Sequence, residues 1–106
     1  MDPHYLLDLT DDNRTVTKEI LVQFVQSDAA DRAGLAAALQ AGDTKALNML
    51  AHRIKGGARC IGALEYAAIA EDIEHGALRG IEFLRGDVEA LERAGAALAA
   101  WVSRFH

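Results

Sequence analysis

Residues 44–61 read TKALNMLAHRIKGGARCI, and their spacing decides the fold. Turned through about 100° per residue, Leu47, Leu50, Ile54 and Ile61 fall on one side of a helix. His52 falls nearly opposite, about 140° from Leu47. It shares that side with Lys45, Asn48, Lys55, Gly56 and Arg59. A helix divided in this way must lay its apolar side on neighbouring elements. Gly42 before it suits the C-terminal cap of a preceding helix, Asp43 or Thr44 suits the N-cap, and Gly62 ends the segment.

Upstream, Ile20, Leu21, Phe24, Val25, Leu35 and Leu39 recur at helical spacing, which predicts a long helix from Thr15 to Gln40. Downstream, a helix is expected from Ala63 to Leu78 with Leu64, Ala68 and Ile73 inward, its end loosened by Gly76 and Gly80. Gly86-Asp87 reads as a turn and cap. Beyond it Val88, Leu91, Gly95, Leu98, Val102 and Phe105 step by three and four, with Trp101 beside the stripe. Trp101 and Phe105 are expected in the core. Leu6 and Leu7, between Pro3 and Thr10-Asp11-Asp12, read as a short lead-in helix or arm. Short connections make neighbouring helices antiparallel. The expected fold is all-α: an up-down four-helix bundle over residues 15–105, with room for a short extra N-terminal helix. Residues 1–106 form a single domain on this reading.

Composition narrows the function. Of the 106 residues 51% are hydrophobic and 25% charged, the balance of a folded chain rather than a disordered one. Cys60 is the only cysteine, which excludes an internal disulfide and a cysteine metal cluster; it reads as a small packed residue. The net charge of −5 argues against non-specific nucleic-acid binding. No apolar run approaches the roughly 20 residues of a membrane helix, and no signal peptide opens the chain. A small, acidic, soluble helical domain of the cytoplasm is expected, without membrane contact, bound metal or cofactor.

The His52 side carries the chemistry. Gly56 and Gly57 stand inside the helix, each costing about 1 kcal/mol relative to alanine. A glycine one turn beyond His52 removes bulk beside the imidazole and leaves room for another protein. Between Asp43 and Glu65 there is no acid, while Lys45, Arg53, Lys55 and Arg59 are present; the rest of the chain carries seven bases against sixteen acids. A positive field around a histidine suits an anion at the ring. A neutral imidazole nitrogen is a competent nucleophile near neutral pH, its reference pKa being about 6.5. Its N-linked phosphoryl adduct is labile and can be handed on. Exposure supplies in-line access, Gly56 clearance, and Lys55 a charge for phosphate oxygens.

The run His52-Arg53-Ile54-Lys55-Gly56-Gly57-Ala58-Arg59-Cys60-Ile61-Gly62-Ala63 resembles the H-x-x-K-G-x-x-x-x-[LI]-G-A signature of histidine phosphotransfer (HPt) domains. The spacing of Ala36, Leu39, Gly42, Asp43 and Leu47 extends the likeness, and with the helix pattern it covers most of residues 15–105. The resemblance implies that His52 is the phosphoacceptor, Lys55 assists the phosphate and Gly56 permits docking of a response-regulator receiver domain. The sequence departs from the pattern at Gly57, often serine, and at Arg59, often small. Arg59 on this view either strengthens or narrows partner choice.

The implied function is a phosphorelay intermediate that takes a phosphoryl group from a receiver aspartate and passes it to another, or the reverse. Neither GxxxxGK[ST] nor GxGxxG occurs, so no kinase activity is expected. No carboxylate falls on the His52 side of this helix, so the divalent ion for transfer is expected from the receiver's acidic pocket. A helical interaction module using the same surface without phosphotransfer is the alternative. A hydrolase or metal enzyme fares poorly, without HExxH, paired histidine ligands or a serine beside a base. The chain reads either as a stand-alone protein or as the C-terminal piece of a hybrid sensor kinase. His75, with no lysine three residues on, reads as a surface histidine; His4 and His106 are terminal.

Asp28 and Arg32 interrupt the apolar stripe of the long helix as an i,i+4 pair of opposite sign. Around a turn at Ala41-Gly42, antiparallel positions whose numbers sum to about 84 lie level, which sets Arg32 at the height of His52. Arg32 is either half of a local salt bridge or part of the docking rim, in contact with phosphate or receiver.

Overall fold

The computed structural model describes residues 1–106, the side chain of Phe83 excepted. Five helices follow one another: α1 (His4–Leu9), α2 (Arg14–Ala41), α3 (Thr44–Cys60), α4 (Leu64–Gly76) and α5 (Arg85–Arg104), with a 3-10 turn at Ile81–Phe83 before the last. No strand occurs among the described residues. Helices α2 to α5 form the expected bundle, a rod of 43 × 19 × 17 Å, and α1 is the short extra helix.

The helix ends follow local chemistry. Asn13 caps α2 by accepting from the Val16 amide at 3.1 Å, and Asp43, not Thr44, caps α3 by accepting from the Ala46 amide at 3.0 Å. Gly42 closes α2 in the left-handed region at φ 73°, a conformation open to glycine at little cost. The last helix departs from expectation. It begins at Arg85, so Gly86 and Asp87 lie in its first turn, and its N-cap residue Leu84 makes no side-chain cap bond. Leu84 is instead fully buried. A Cβ on Gly76 would stand 2.6 Å from Leu84 Cδ2, so the glycine makes room for that leucine. Hydrophobic anchoring thus starts α5 earlier than a polar cap would.

Leu21, Leu35, Leu47, Ile54, Ile73, Leu84 and Leu91 are fully buried or nearly so, each contributing roughly 1.5–3 kcal/mol. Three expected core residues are corrected. Leu64 and Ala68 are exposed; α4 buries the expected Ile73 together with Tyr66, Ala67 and Ala70. This rotation places the stripe at Ala63, Tyr66, Ala67, Ala70, Ile73 and Ala77, the spacing of one helix face. Cys60 is exposed rather than packed, because it ends α3 off the line of Leu47, Ala51, Ile54, Ala58 and Ile61. Phe105 is buried and Trp101 half-buried, their rings 5.5 Å apart.

The chain end is fastened to the start of α2. Lys18 donates to the carbonyls of Val102 and Phe105, and Arg14 donates to the His106 carbonyl at 2.6 Å while lying over the Phe105 ring.

The level arithmetic holds between α2 and α3. Arg53 meets Asp31, and a Cβ on Gly34 would stand 3.2 Å from Leu50 Cδ1. This register brings the middle of α2 alongside the His52 turn of α3.

Candidate functional site

His52 projects from the middle of α3 with 69% of its side chain exposed. Its Nδ1 lies 2.6 Å from Glu74 Oε2 of α4. Lys55 Nζ donates to Glu74 Oε1 at 2.5 Å, and both of these side chains are only 13% exposed. Asn48 Nδ2 donates to the Glu74 backbone carbonyl at 2.8 Å. Three α3 residues on one helical face therefore converge on a single α4 residue. The Lys55 bond holds the Glu74 carboxyl below its ordinary value against the effect of burial, and the His52 bond lowers it further. Glu74 is an ionised acceptor, so His52 Nδ1 carries the hydrogen of their bond. Nε2 has no partner among the described residues.

The absence of a carboxylate beside His52, read from α3 alone, is thereby corrected: a neighbouring helix supplies one. The excess of positive charge is corrected in the same way. Arg53 meets Asp31 of α2 at 2.5 and 3.1 Å, Lys55 meets Glu74, and Arg59 meets Glu71 at 2.6 Å. Four bases without an acid along α3 become three matched pairs once the bundle closes, with Lys45 the remaining cation.

The two glycines of α3 differ. Around a Cβ built on Gly56 nothing lies within 4 Å, whereas one on Gly57 would stand 3.3 Å from Phe24 Cε1. Gly57 lets α2 approach; Gly56 answers no demand of the protein's own packing and leaves the surface one turn beyond His52 open. Arg59 is exposed and turned toward Glu71. His75 is exposed, as expected.

Arg32 does not line a rim beside His52. It is buried, donating from Nε to Asp28 Oδ2 at 2.9 Å and from Nη1 to Glu92 Oε2 of α5 at 3.0 Å. Tyr66 of α4 donates to Asp28, with both carboxylate oxygens at 2.8 Å. Burial raises the Asp28 carboxyl against the bonds from Tyr66 and Arg32, and burial beside Asp28 raises the Tyr66 hydroxyl strongly. Arg32 has the height expected from α2 but turns toward α5, where Gly95 has no side chain to oppose it.

Glu74, Asp31 and Glu71 escaped the sequence reading, and Asn48 stood on the His52 side in it without a role. A signal for Glu74 existed: around the turn at Gly62-Ala63, antiparallel positions summing to about 125 lie level, which sets Glu74 near His52.

With this geometry in place, the comparisons agree on one class. The Hpt domain family matches residues 19–105, and the chain belongs to that family. It is a histidine phosphotransfer domain, a relay intermediate of the kind that carries phosphoryl groups and works with receiver domains. Among solved structures it is similar to the crystal structure of histidine-containing phosphotransfer protein B (HptB) from Pseudomonas aeruginosa PAO1. The TM-score is 0.86 and the identity 31%, over 98% of this chain and 91% of that one. A search of curated proteins gives no match.

Proposed function

We propose that His52 is the phosphoacceptor and that residues 1–106 act as one carrier domain between receiver domains. The observation that carries this is the presentation of the ring. Nδ1 is engaged by Glu74, Nε2 is without a hydrogen-bond partner among the described residues, and the ring is mostly exposed, with open space over Gly56. An in-line attack on an aspartyl phosphate needs this access.

Lys55 is the phosphate-assisting cation in this reading. Its ammonium is held within the site by Glu74 and can exchange that carboxylate for phosphoryl oxygens. Gly56 is the clearance for the receiver. Arg59, exposed beside Glu71, contributes to partner contact. Arg32 is assigned to the bundle interior. The domain acts as a carrier of the phosphoryl group rather than as a kinase of its own. It works in the cytoplasm, where receivers are found; no described helix is long and apolar enough to cross a membrane.

The test is incubation with a receiver domain phosphorylated by acetyl phosphate. Acid-labile, alkali-stable label appears on the wild type and is absent from His52→Gln. Binding of the receiver without any label would favour the interaction-module alternative.

A further inference from the structure

Glu74 is an ionised carboxylate held at the height of the imidazole from three directions. Asn48 fixes its backbone, Lys55 one oxygen, and His52 Nδ1 the other. We infer that Glu74 keeps Nδ1 of His52 protonated through both halves of the transfer, so that the phosphoryl group enters and leaves with no proton exchanged with solvent. This rests on the reading of His52 as the phosphoacceptor.

The steps balance as follows. The Nε2 lone pair attacks the phosphorus of a receiver's aspartyl phosphate, and the P–O bond breaks with its electron pair going to the aspartate carboxylate. The Nε2–P bond forms. The ring already carried its hydrogen on Nδ1, so it becomes a phosphoryl-imidazolium whose positive charge lies against Glu74. In the return step a carboxylate oxygen of the next receiver's aspartate attacks phosphorus. The Nε2–P bond breaks with its pair returning to Nε2, and the ring departs as neutral imidazole, still protonated on Nδ1. A ring that had lost this hydrogen would have to leave as imidazolate, a far poorer leaving group.

The surrounding charges leave Glu74 as the group that performs this task. On α3, Lys55 bonds Glu74 itself, Arg53 is committed to Asp31 of α2, Arg59 to Glu71 of α4, and Lys45 lies two turns before His52. On α4, His75 is exposed. From α5, Glu92 is committed to Arg32. Glu74 is the carboxylate within hydrogen-bond distance of the ring among the described residues.

The experiment measures outward transfer from phosphorylated His52 to one unphosphorylated receiver domain, for wild type and Glu74→Gln, between about pH 6 and pH 9. Glutamine keeps an acceptor for Nδ1–H but removes the charge. The ratio of the two rates cancels the receiver's own pH dependence. At the acid end of this range the two rates should agree within about threefold. As the pH rises the variant should fall progressively behind wild type, by more than about tenfold at the alkaline end. In ¹⁵N-edited spectra at high pH, the phosphorylated wild type should show a hydrogen on Nδ1 that the phosphorylated variant lacks. Parallel pH profiles, or an Nδ1–H present in both proteins, would overturn the inference. If the wild type takes no label lost in His52→Gln, the phosphoacceptor reading itself fails; if both label and the ratio stays flat, the proton-retention inference alone fails.

Discussion

The Arg32 guanidinium fills the space that a side chain at residue 95 would need. A Cβ on Gly95 would stand 2.5 Å from Arg32 Nε and 2.6 Å from Cζ. The guanidinium cannot swing aside cheaply, because Asp28 and Glu92 hold it from opposite helices.

Gly95→Ala should therefore destabilise the protein. Alanine gains about 1 kcal/mol of helix propensity over glycine, but overpacking a pinned side chain costs about 1–3 kcal/mol. Urea denaturation should show a net loss. A midpoint above that of the wild type would mean that Arg32 relaxes freely.

Arg32→Ala should lose about 3 kcal/mol, since it leaves Asp28 charged and buried with Tyr66 as its remaining partner. Phosphoryl transfer, measured well below the melting temperature, should stay within about twofold of wild type because the His52 site has other partners. Slowed transfer in a fully folded variant would return Arg32 to the docking surface.

Gly56 and Gly57 should respond in opposite ways. Gly56→Ala meets no neighbour within 4 Å and should raise stability by close to 1 kcal/mol. Gly57→Ala meets Phe24 and should gain less or lose. Gly56→Leu should fold at least as well as wild type and yet slow transfer from a receiver, because its bulk lies over the approach to the ring. Unchanged receiver affinity in Gly56→Leu would remove the clearance argument.

Glu74 should add to stability in a pH-dependent way. Its carboxyl lies below its ordinary value of 4.5 in the folded state, chiefly through the Lys55 bond. The contribution is therefore present above that ordinary value and is lost as the pH falls through the lowered one. Asp28, whose carboxyl burial raises, acts in the opposite sense in both proteins and cancels in the difference. Denaturation of wild type and Glu74→Gln should show a gap at neutral pH that closes in acid. A gap that stays constant with pH would show that the glutamine fails for reasons of shape rather than charge.

Helix positions, the Gly42 and Asp43 boundary, the exposed face of His52 and the level of α2 against α3 were all legible in the sequence, because they depend on one helix or one short turn. What escaped depends on contacts between helices. Glu74 lies 22 residues from His52 and belongs to a helix whose inward face reads in the sequence as Leu64, Ala68 and Ile73, of which Ile73 alone is buried. A helix wheel drawn for α3 alone contains no such acid. Arg32 had the right height and the wrong direction, since the space that draws it away is a missing side chain on α5. The start of α5 was displaced because a buried leucine, not a polar cap, anchors it.

The three acid–base pairs around His52 bear on how a receiver finds it. Each cation of the pairs is answered within a few ångströms, so their fields cancel over distances beyond a Debye length, about 8 Å in physiological salt. The pairs themselves therefore draw no receiver in from afar, and what long-range field the domain has is that of its net charge of −5. Among receivers of similar charge, discrimination falls to the dissociation rate after contact rather than to the frequency of collision.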